Sequence, residues 1–377
     1  MNQFYKAYCR VFQKVMFIAE CFMPWGEPFK LTGPGSIRKL PGHIKEKGLK
    51  KVLIVTDKGL TSLGLLNGLY EEMDKAGVEY VVYDGTQPNP TIENIEEAKD
   101  MYINNGCQGI IAFGGGSPMD CAKIAAARVV KPNQPVEKMR GLMKILRPLP
   151  PFFAVPTTAG TAAEVTINYV ITDPERNCKM VCVDPHDIPV VAFVDPDMMA
   201  TMPASLTAAT GMDALTHAIE GYITGGAWEL SDMFHIKAIE IIAKNLRAAV
   251  KGDAAGMEGM ALGQYVAGMG FSNVGLGIVH SMAHPLGAVY DTPHGVANAI
   301  ILPTVMEYNA ECTGEKYREI ARVMGVEGVD AMTQEEYRKA AIDAVKKLSA
   351  DVGIPADLKD IVKAEDIPFL AQSAFDD

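Results

Sequence analysis

The sequence predicts an α/β N-terminal domain with a mostly parallel sheet, followed by an all-α helical domain. Three observations carry this. Short runs rich in Val, Ile and Phe alternate with helical segments from about residue 28 to residue 195. After Val194-Asp-Pro-Asp197, Val and Ile give way to Ala, Met and Gly in helical periodicity, with no convincing strand from 203 to 377. Five of the seven histidines then crowd between Asp213 and His294. The expected division is an N-terminal helical extension over 1–27, the α/β domain over 28–200 and the helical domain over 201–377.

Residues 1–25 are rich in Met, Phe and Cys, but Lys6, Arg10, Lys14 and Glu20 interrupt any signal-peptide core and no small-residue cleavage site follows. Tyr5, Tyr8, Val11, Phe12, Val15 and Ala19 fall at helical spacing, which predicts an amphipathic helix packed on the body or on a sister subunit. Lys51-Val-Leu-Ile-Val-Thr-Asp57 is a continuous apolar run of the kind that makes a strand buried on both faces, as are Val78–Tyr83 and Gly109–Phe113. Helical stretches around 66–76, 92–105 and 118–130 separate them, and later strands fall near 152–155, 165–172, 179–183 and 189–194. Strand and helix in alternation make βαβ units, whose ligand crevice lies beyond the carboxyl ends of a parallel sheet.

Three features stand at those carboxyl ends. Asp57 is placed either to accept from a ribose 2′-hydroxyl or to cap the helix opening at Lys58. Gly114-Gly115-Gly116-Ser117-Pro118 joins a strand to a helix. Its glycines allow close backbone approach to a phosphate, Ser117 suits a cap and Pro118 the first helical position. The loop is not the G-x-G-x-x-G fingerprint, and a plain strand-to-helix turn reads equally well. Pro156-Thr157-Thr158-Ala-Gly-Thr161 supplies clustered hydroxyls, which also suits a loop that satisfies its own backbone.

Composition narrows the partners. Hydrophobic residues make up 48% and charged residues 21%, and no apolar run is long enough to span a membrane. A net charge of −11 without a basic stripe argues against nucleic acid. Seven scattered cysteines, without a C-x-x-C pair, predict free thiols and a cytoplasmic protein.

In the second half, Asp213 and His217 stand at i and i+4, so their side chains leave one helix face a turn apart. His280 and His284 repeat the spacing, and Pro285 predicts the end of that helix. Thr292 reads as an N-cap and Pro293 as the first helical residue, which fixes His294 in the first turn. His235, without a second histidine near it, is assigned an ordinary surface or packing role. Three imidazoles and a carboxylate suit a divalent first-row metal such as iron or zinc, with one position left for substrate.

Asp213-Ala-Leu-Thr-His-Ala-Ile-Glu, Gly277-Ile-Val-His-Ser-Met-Ala-His-Pro-Leu-Gly and Thr292-Pro-His-Gly resemble the iron-dependent alcohol dehydrogenases, most closely the branch that reduces lactaldehyde. The resemblance covers roughly residues 28 to 377. It implies that Asp213, His217, His280 and His294 bind Fe2+, with His284 beside the metal and not a ligand. It implies that Gly114, Gly115, Gly116 and Ser117 hold the pyrophosphate of NAD with Asp120 and Asn89 nearby, and that Thr157, Thr158 and Thr161 line the nucleotide cleft. Lys179 falls near the nicotinamide ribose, and Asn168 and Phe271 face the substrate. The α/β domain is then dinucleotide-binding and the helical domain metal-binding.

The expected chemistry is hydride transfer between NAD(H) and a small aldehyde or alcohol, lactaldehyde and 1,2-propanediol leading. His284 is the expected proton donor, since a histidine titrates near neutrality. Asp57 favours NAD over NADP, because a carboxylate repels a 2′-phosphate. The resemblance also implies a homodimer or higher homo-oligomer. It further implies a loop and closing helix beyond Asp377, which the sequence given does not contain, and with them part of the pocket wall. Alternatives on the same fold are a zinc-dependent polyol dehydrogenase or lyase and a catalytically impaired binding form.

Overall fold

The computed structural model describes residues 3–20, 26–173 and 178–376. Its strands are β1 (Phe29–Thr32), β2 (Lys51–Val55), β3 (Glu79–Tyr83), β4 (Gly109–Gly114), β5 (Gly141–Leu142), β6 (Phe152–Pro156), β7 (Asn168–Asp173), β8 (Cys178–Val183) and β9 (Val191–Val194). Six of them form one sheet in the order β1-β9-β6-β4-β2-β3, parallel throughout. Because successive side chains point to opposite faces, Val52 and Ile54 join one apolar cluster while Leu53 and Val55 join the other. Burial on both faces is why these strands carry unbroken apolar runs.

The chain leaves β2 to one side for β3 and then crosses to β4 on the other side. Such a reversal opens a crevice at the carboxyl ends of the two strands. Asp57 and the Gly114–Ser117 loop both sit there.

The helices of this half are α1 (Gln3–Glu20), α2 (Leu40–Glu46), α3 (Lys58–Ser62), α4 (Asn67–Ala76), α5 (Ile92–Asn104) and α6 (Gly116–Val130). From residue 204 onward the described residues contain no strand. They form α7 (Ala204–Ile223), α8 (Glu229–Val250), α9 (Ala254–Phe271), α10 (Ile278–Tyr290), α11 (His294–Asn309), α12 (Lys316–Val323), α13 (Gln334–Asp351) and α14 (Ile367–Asp376). Helix α7 packs on α8, α9 and α11, and most of its residues are buried. No described helix is long and apolar enough to cross a membrane.

Several expectations are corrected. Strand β1, four residues on the sheet edge with only its middle pair partly buried, is too short to show a pattern in the sequence. Strands β7 and β8 do not extend the main sheet but pair antiparallel with each other and join β5 in a second sheet. Pro285 does not end its helix: α10 begins at Ile278, so His280 lies in its first turn, His284 at its midpoint and Pro285 inside it. The proline forfeits one hydrogen bond, to the Ser281 carbonyl, and burial of Val279, Ala283 and Leu286 carries the helix through.

Thr292 is buried and its hydroxyl has no hydrogen-bond partner among the described residues; Pro293 occupies the N-cap position and His294 is the first residue of α11. The N-cap of α6 is Gly115 rather than Ser117, and Pro118 is the third helical residue. Helix α1 forms as expected and touches the body through Tyr5, whose ring lies 5.7 Å from that of Phe375, while Tyr8, Val11, Phe12 and Val15 form an apolar face exposed on the single chain. The Ala19 side chain lies outside the described residues. Cys9, Cys107, Cys121, Cys182 and Cys312 are free thiols, while Cys21 and the Cys178 side chain lie outside the description.

One buried charge gives a measurable consequence. Asp187, in the turn between β8 and β9, is fully buried, and neither carboxylate oxygen has a hydrogen-bond partner among the described residues. Burial pushes its pKa up to about 7 against the opposing pull of Lys123. An unfolded aspartate titrates near about 3.9, so between about pH 4 and 7 the folded state binds more protons and stability falls as pH rises. Asp187→Asn removes that dependence. Its stability relative to the parent should grow by about 2–3 kcal/mol between about pH 5 and pH 8, read by chemical denaturation.

Candidate active site

Three helices build one wall of the cleft. Helix α7 presents Asp213 and His217, α10 presents His280 and His284, and α11 opens with His294. Gly295 lets α11 approach α7, because a Cβ there would collide with the Ala209 carbonyl. Asp213, His217, His280 and His294 each bring a donor atom to within 4.8 Å of all the others. His294 Nε2 lies 3.7 Å from Asp213 Oδ1. The His217 ring stacks on His280 at 4.7 Å and on Phe271 at 4.3 Å.

His284 is not in the four-donor group. Its ring stacks beside His294 at 5.7 Å. His235 is buried elsewhere, between Gly221 and Gly270, with burial lowering its pKa to about 3.

The electrostatics of the group suit a cation. Burial lowers His217 to about 4 and His294 well below the usual histidine value, so both imidazoles are neutral and carry free lone pairs. Asn298, one turn beyond His294 and fully buried, aims its amide nitrogen into the group. It stands 2.7 Å from Asp213 Oδ1, 3.2 Å from His280 Nε2 and 3.1 Å from His294 Nε2. The amide donates to Asp213 Oδ1, and its hydrogens favour unprotonated Nε2 atoms on the two imidazoles beside it. A divalent ion requires that arrangement, and a three-nitrogen, one-oxygen set accommodates iron or zinc.

The opposite wall comes from the α/β half. A cavity of about 260 Å³ lies between the two. Gly116, Ser117, Asp120 and Thr161 line it near the loop, and Asn89, Asn168 and Lys179 line it toward the histidines. His284 and Phe271 border it as well. Asp57, Gly114, Gly115, Thr157 and Thr158 do not reach this cavity. They lie behind it. A Cβ on Gly115 would stand 3.0 Å from Thr158 Cγ2, and the Thr157 N–H donates to the Gly114 carbonyl at 3.0 Å, so the glycine and threonine loops pack on each other. Glycine is needed for that approach and leaves the N-terminus of α6 open to an anion.

Asp57 caps α3, accepting from Leu60 N–H through Oδ1 at 3.0 Å. Asn89 adopts a left-handed backbone, with φ of 56°. Its side chain accepts from Lys179 Nζ at 3.0 Å and donates to Asp291 at 3.2 Å, which ties the two halves together across the cleft. Asp120 accepts from Val170 N–H at 3.0 Å, and burial pushes its carboxyl up to about 7.

Sequence reasoning missed Glu220, Asn298 and Asp291. Glu220 and Asn298 carried a signal, since one stands three residues after His217 and the other four after His294 on the same helices. Asp291 had none, because its partner Asn89 lies 202 residues away in sequence.

Comparison with known proteins places this cleft in context. Residues 29–196 match the family described as iron-containing alcohol dehydrogenase, and residues 207–377 match the C-terminal part described as the Fe-containing alcohol dehydrogenase family. The chain is 59% identical over 349 residues to lactaldehyde reductase of Escherichia coli (strain K12), covering 92% of this chain and 91% of that protein. A crystal structure of 1,3-propanediol oxidoreductase superposes with a TM-score of 0.91 at 41% identity, covering 94% of each chain. Sulfoacetaldehyde reductase from Bifidobacterium kashiwanohense, solved in complex with NAD+, superposes with a TM-score of 0.83 at 28% identity, covering 94% of this chain and 92% of that one. With both halves matched and the four-donor cluster facing the cleft between them, the chain belongs to the iron-containing alcohol dehydrogenase family and is an oxidoreductase of that class.

Proposed function

We propose that the protein transfers hydride between NAD(H) and short aldehydes or primary alcohols, with lactaldehyde and 1,2-propanediol as the leading pair. One observation carries this reading: a four-donor group opens onto a cavity whose other wall is a glycine loop at a sheet switch point. The identity to lactaldehyde reductase supports the substrate, and the NAD+ complex of the sulfoacetaldehyde reductase supports the cofactor.

Asp213, His217, His280 and His294 would hold the ion, taken as Fe2+ from the family description with Zn2+ as the competing metal. A divalent ion in that place supplies Lewis acidity toward the carbonyl or alcohol oxygen, while the nicotinamide supplies or accepts the hydride. The residues do the rest. Gly114, Gly115, Gly116 and Ser117 bind the pyrophosphate at the N-terminus of α6, with Thr157, Thr158 and Thr161 behind and beside it. Asp57 keeps Oδ2 for the ribose while Oδ1 caps α3. Lys179, Asn89 and Asp120 orient the nicotinamide end. Asn168 and Phe271 bound the substrate, and His284 delivers a proton to its oxygen. The free buried thiols of Cys107, Cys121 and Cys182 support a cytoplasmic setting.

Anaerobically purified protein should contain about one iron per chain and oxidise NADH with lactaldehyde; zinc in its place overturns the metal, and no oxidation overturns the reaction. Asp213→Ala should empty the site and abolish turnover while NADH still binds, and full occupancy in the variant would refute the ligand set. Asp57→Gly removes both the ribose hydrogen bond and the repulsion of a 2′-phosphate, so kcat/KM for NADPH should rise relative to NADH. His284→Ala should keep its metal and turn over about 10²–10⁴-fold more slowly. Metal loss in that variant would make His284 a ligand, and parental turnover would make it a packing residue.

A further inference from the structure

Glu220 projects from α7 three residues after His217 and seven after Asp213, on the side of the helix that carries both. Its side chain is 3% exposed, and both oxygens are engaged. Oε1 accepts from Val279 N–H at 2.7 Å, while Oε2 accepts from Gly277 N–H at 3.2 Å and meets His280 Nδ1 at 2.6 Å. The two backbone donors belong to the start of α10, whose first N–H groups have no acceptor within the helix. A negative charge there is further favoured by the helix dipole.

From this geometry we infer that Glu220 is the positioning residue of the metal centre. By accepting the Nδ1 proton of His280 it fixes the imidazole tautomer, so that Nε2 turns a lone pair toward Asp213 and His294. By capping α10 from α7 it also locks together the two helices that supply three of the four donors. A second observation on the far side of the ring agrees with that tautomer. Asn298 Nδ2 lies 3.2 Å from His280 Nε2, and an amide nitrogen brings hydrogens rather than a lone pair, so an unprotonated Nε2 suits it. Carboxylate, imidazole and amide therefore form one line of defined proton positions, in which the middle member is poised to bind a cation.

The inference rests on the metal reading above, and the experiment separates the two. Glu220→Gln keeps the side-chain volume and a carbonyl oxygen for Val279 N–H, but it presents an NH2 group to Nδ1 and to Gly277 N–H. A donor there forces the His280 proton onto Nε2, the atom that should face the ion. Cobalt or zinc affinity is measured by chelator competition on metal-stripped protein, without nucleotide or substrate. Glu220→Gln should bind about 10–100-fold more weakly than the parent, while the stripped protein still melts cooperatively, lowered only by the lost Gly277 bond, and its NADH affinity stays close to the parental value. A residue that only capped α10 would leave metal affinity unchanged in this variant, and that result overturns the assignment.

A parent that binds no metal overturns the proposed function instead. Should Glu220→Gln fail to fold, the 15N–1H histidine spectrum of the stripped parent, assigned with His280→Asn, decides alone. A proton on Nδ1 of His280 supports the positioning role, and a proton on Nε2 refutes it.

Discussion

Four electron-rich donor atoms held within 4.8 Å of one another, largely out of water, are the constraint around which the helical half is built. Their lone pairs repel, and nothing intrinsic to them keeps them together. The work falls to the packing of α7, α10 and α11, to the missing Cβ at Gly295, and to the amide of Asn298, which places donor hydrogens among three of the acceptors. Rigid helices suit this task better than loops, because the spread of the donors is set by helix geometry and side-chain rotamers locked by burial.

The α/β half solves a different problem. It presents backbone N–H groups to an anion, so its requirements are sheet order and small residues rather than side-chain chemistry. The switch between β2 and β4 opens the crevice, and the glycine loop closes on the threonine loop with little space to spare. The two solutions meet across the cleft where Asn89 and Asp291, both in left-handed backbone conformations, hydrogen-bond to each other, and away from it where Ile167 N–H donates to Ser272 Oγ at 3.0 Å.

Much of this was legible in the sequence, for reasons that differ by element. The central strands declared themselves because burial on both faces leaves no polar position in them, and the spans of α5 and α6 were legible while the α6 cap was not, since Ser117 lies inside the helix and Gly115 precedes it. The Asp213–His217 pair was legible because i,i+4 spacing settles a shared helix face. The same spacing overstates the kinship of His280 and His284. Only the packing of α11 decides that the first joins the donor group and the second lies beside it. Pro285 misled for a related reason, since its local cost is overridden by burial that depends on distant residues. Asp57 was left with two readings, and the structure shows the cap, made with Oδ1 alone. Strand β1 and the Asn89–Asp291 bridge are long-range features with no local pattern to betray them.

Helix α1 carries Phe4, Tyr8, Val11, Phe12 and Val15 in contact with solvent. That apolar face is wet in the folded state already, so melting the helix exposes little surface that was dry. The heat capacity of unfolding and the denaturant slope both scale with newly exposed surface, so in the single chain these five side chains add little to either. Opening of the helix is read by a local reporter instead, such as amide exchange within residues 3–20.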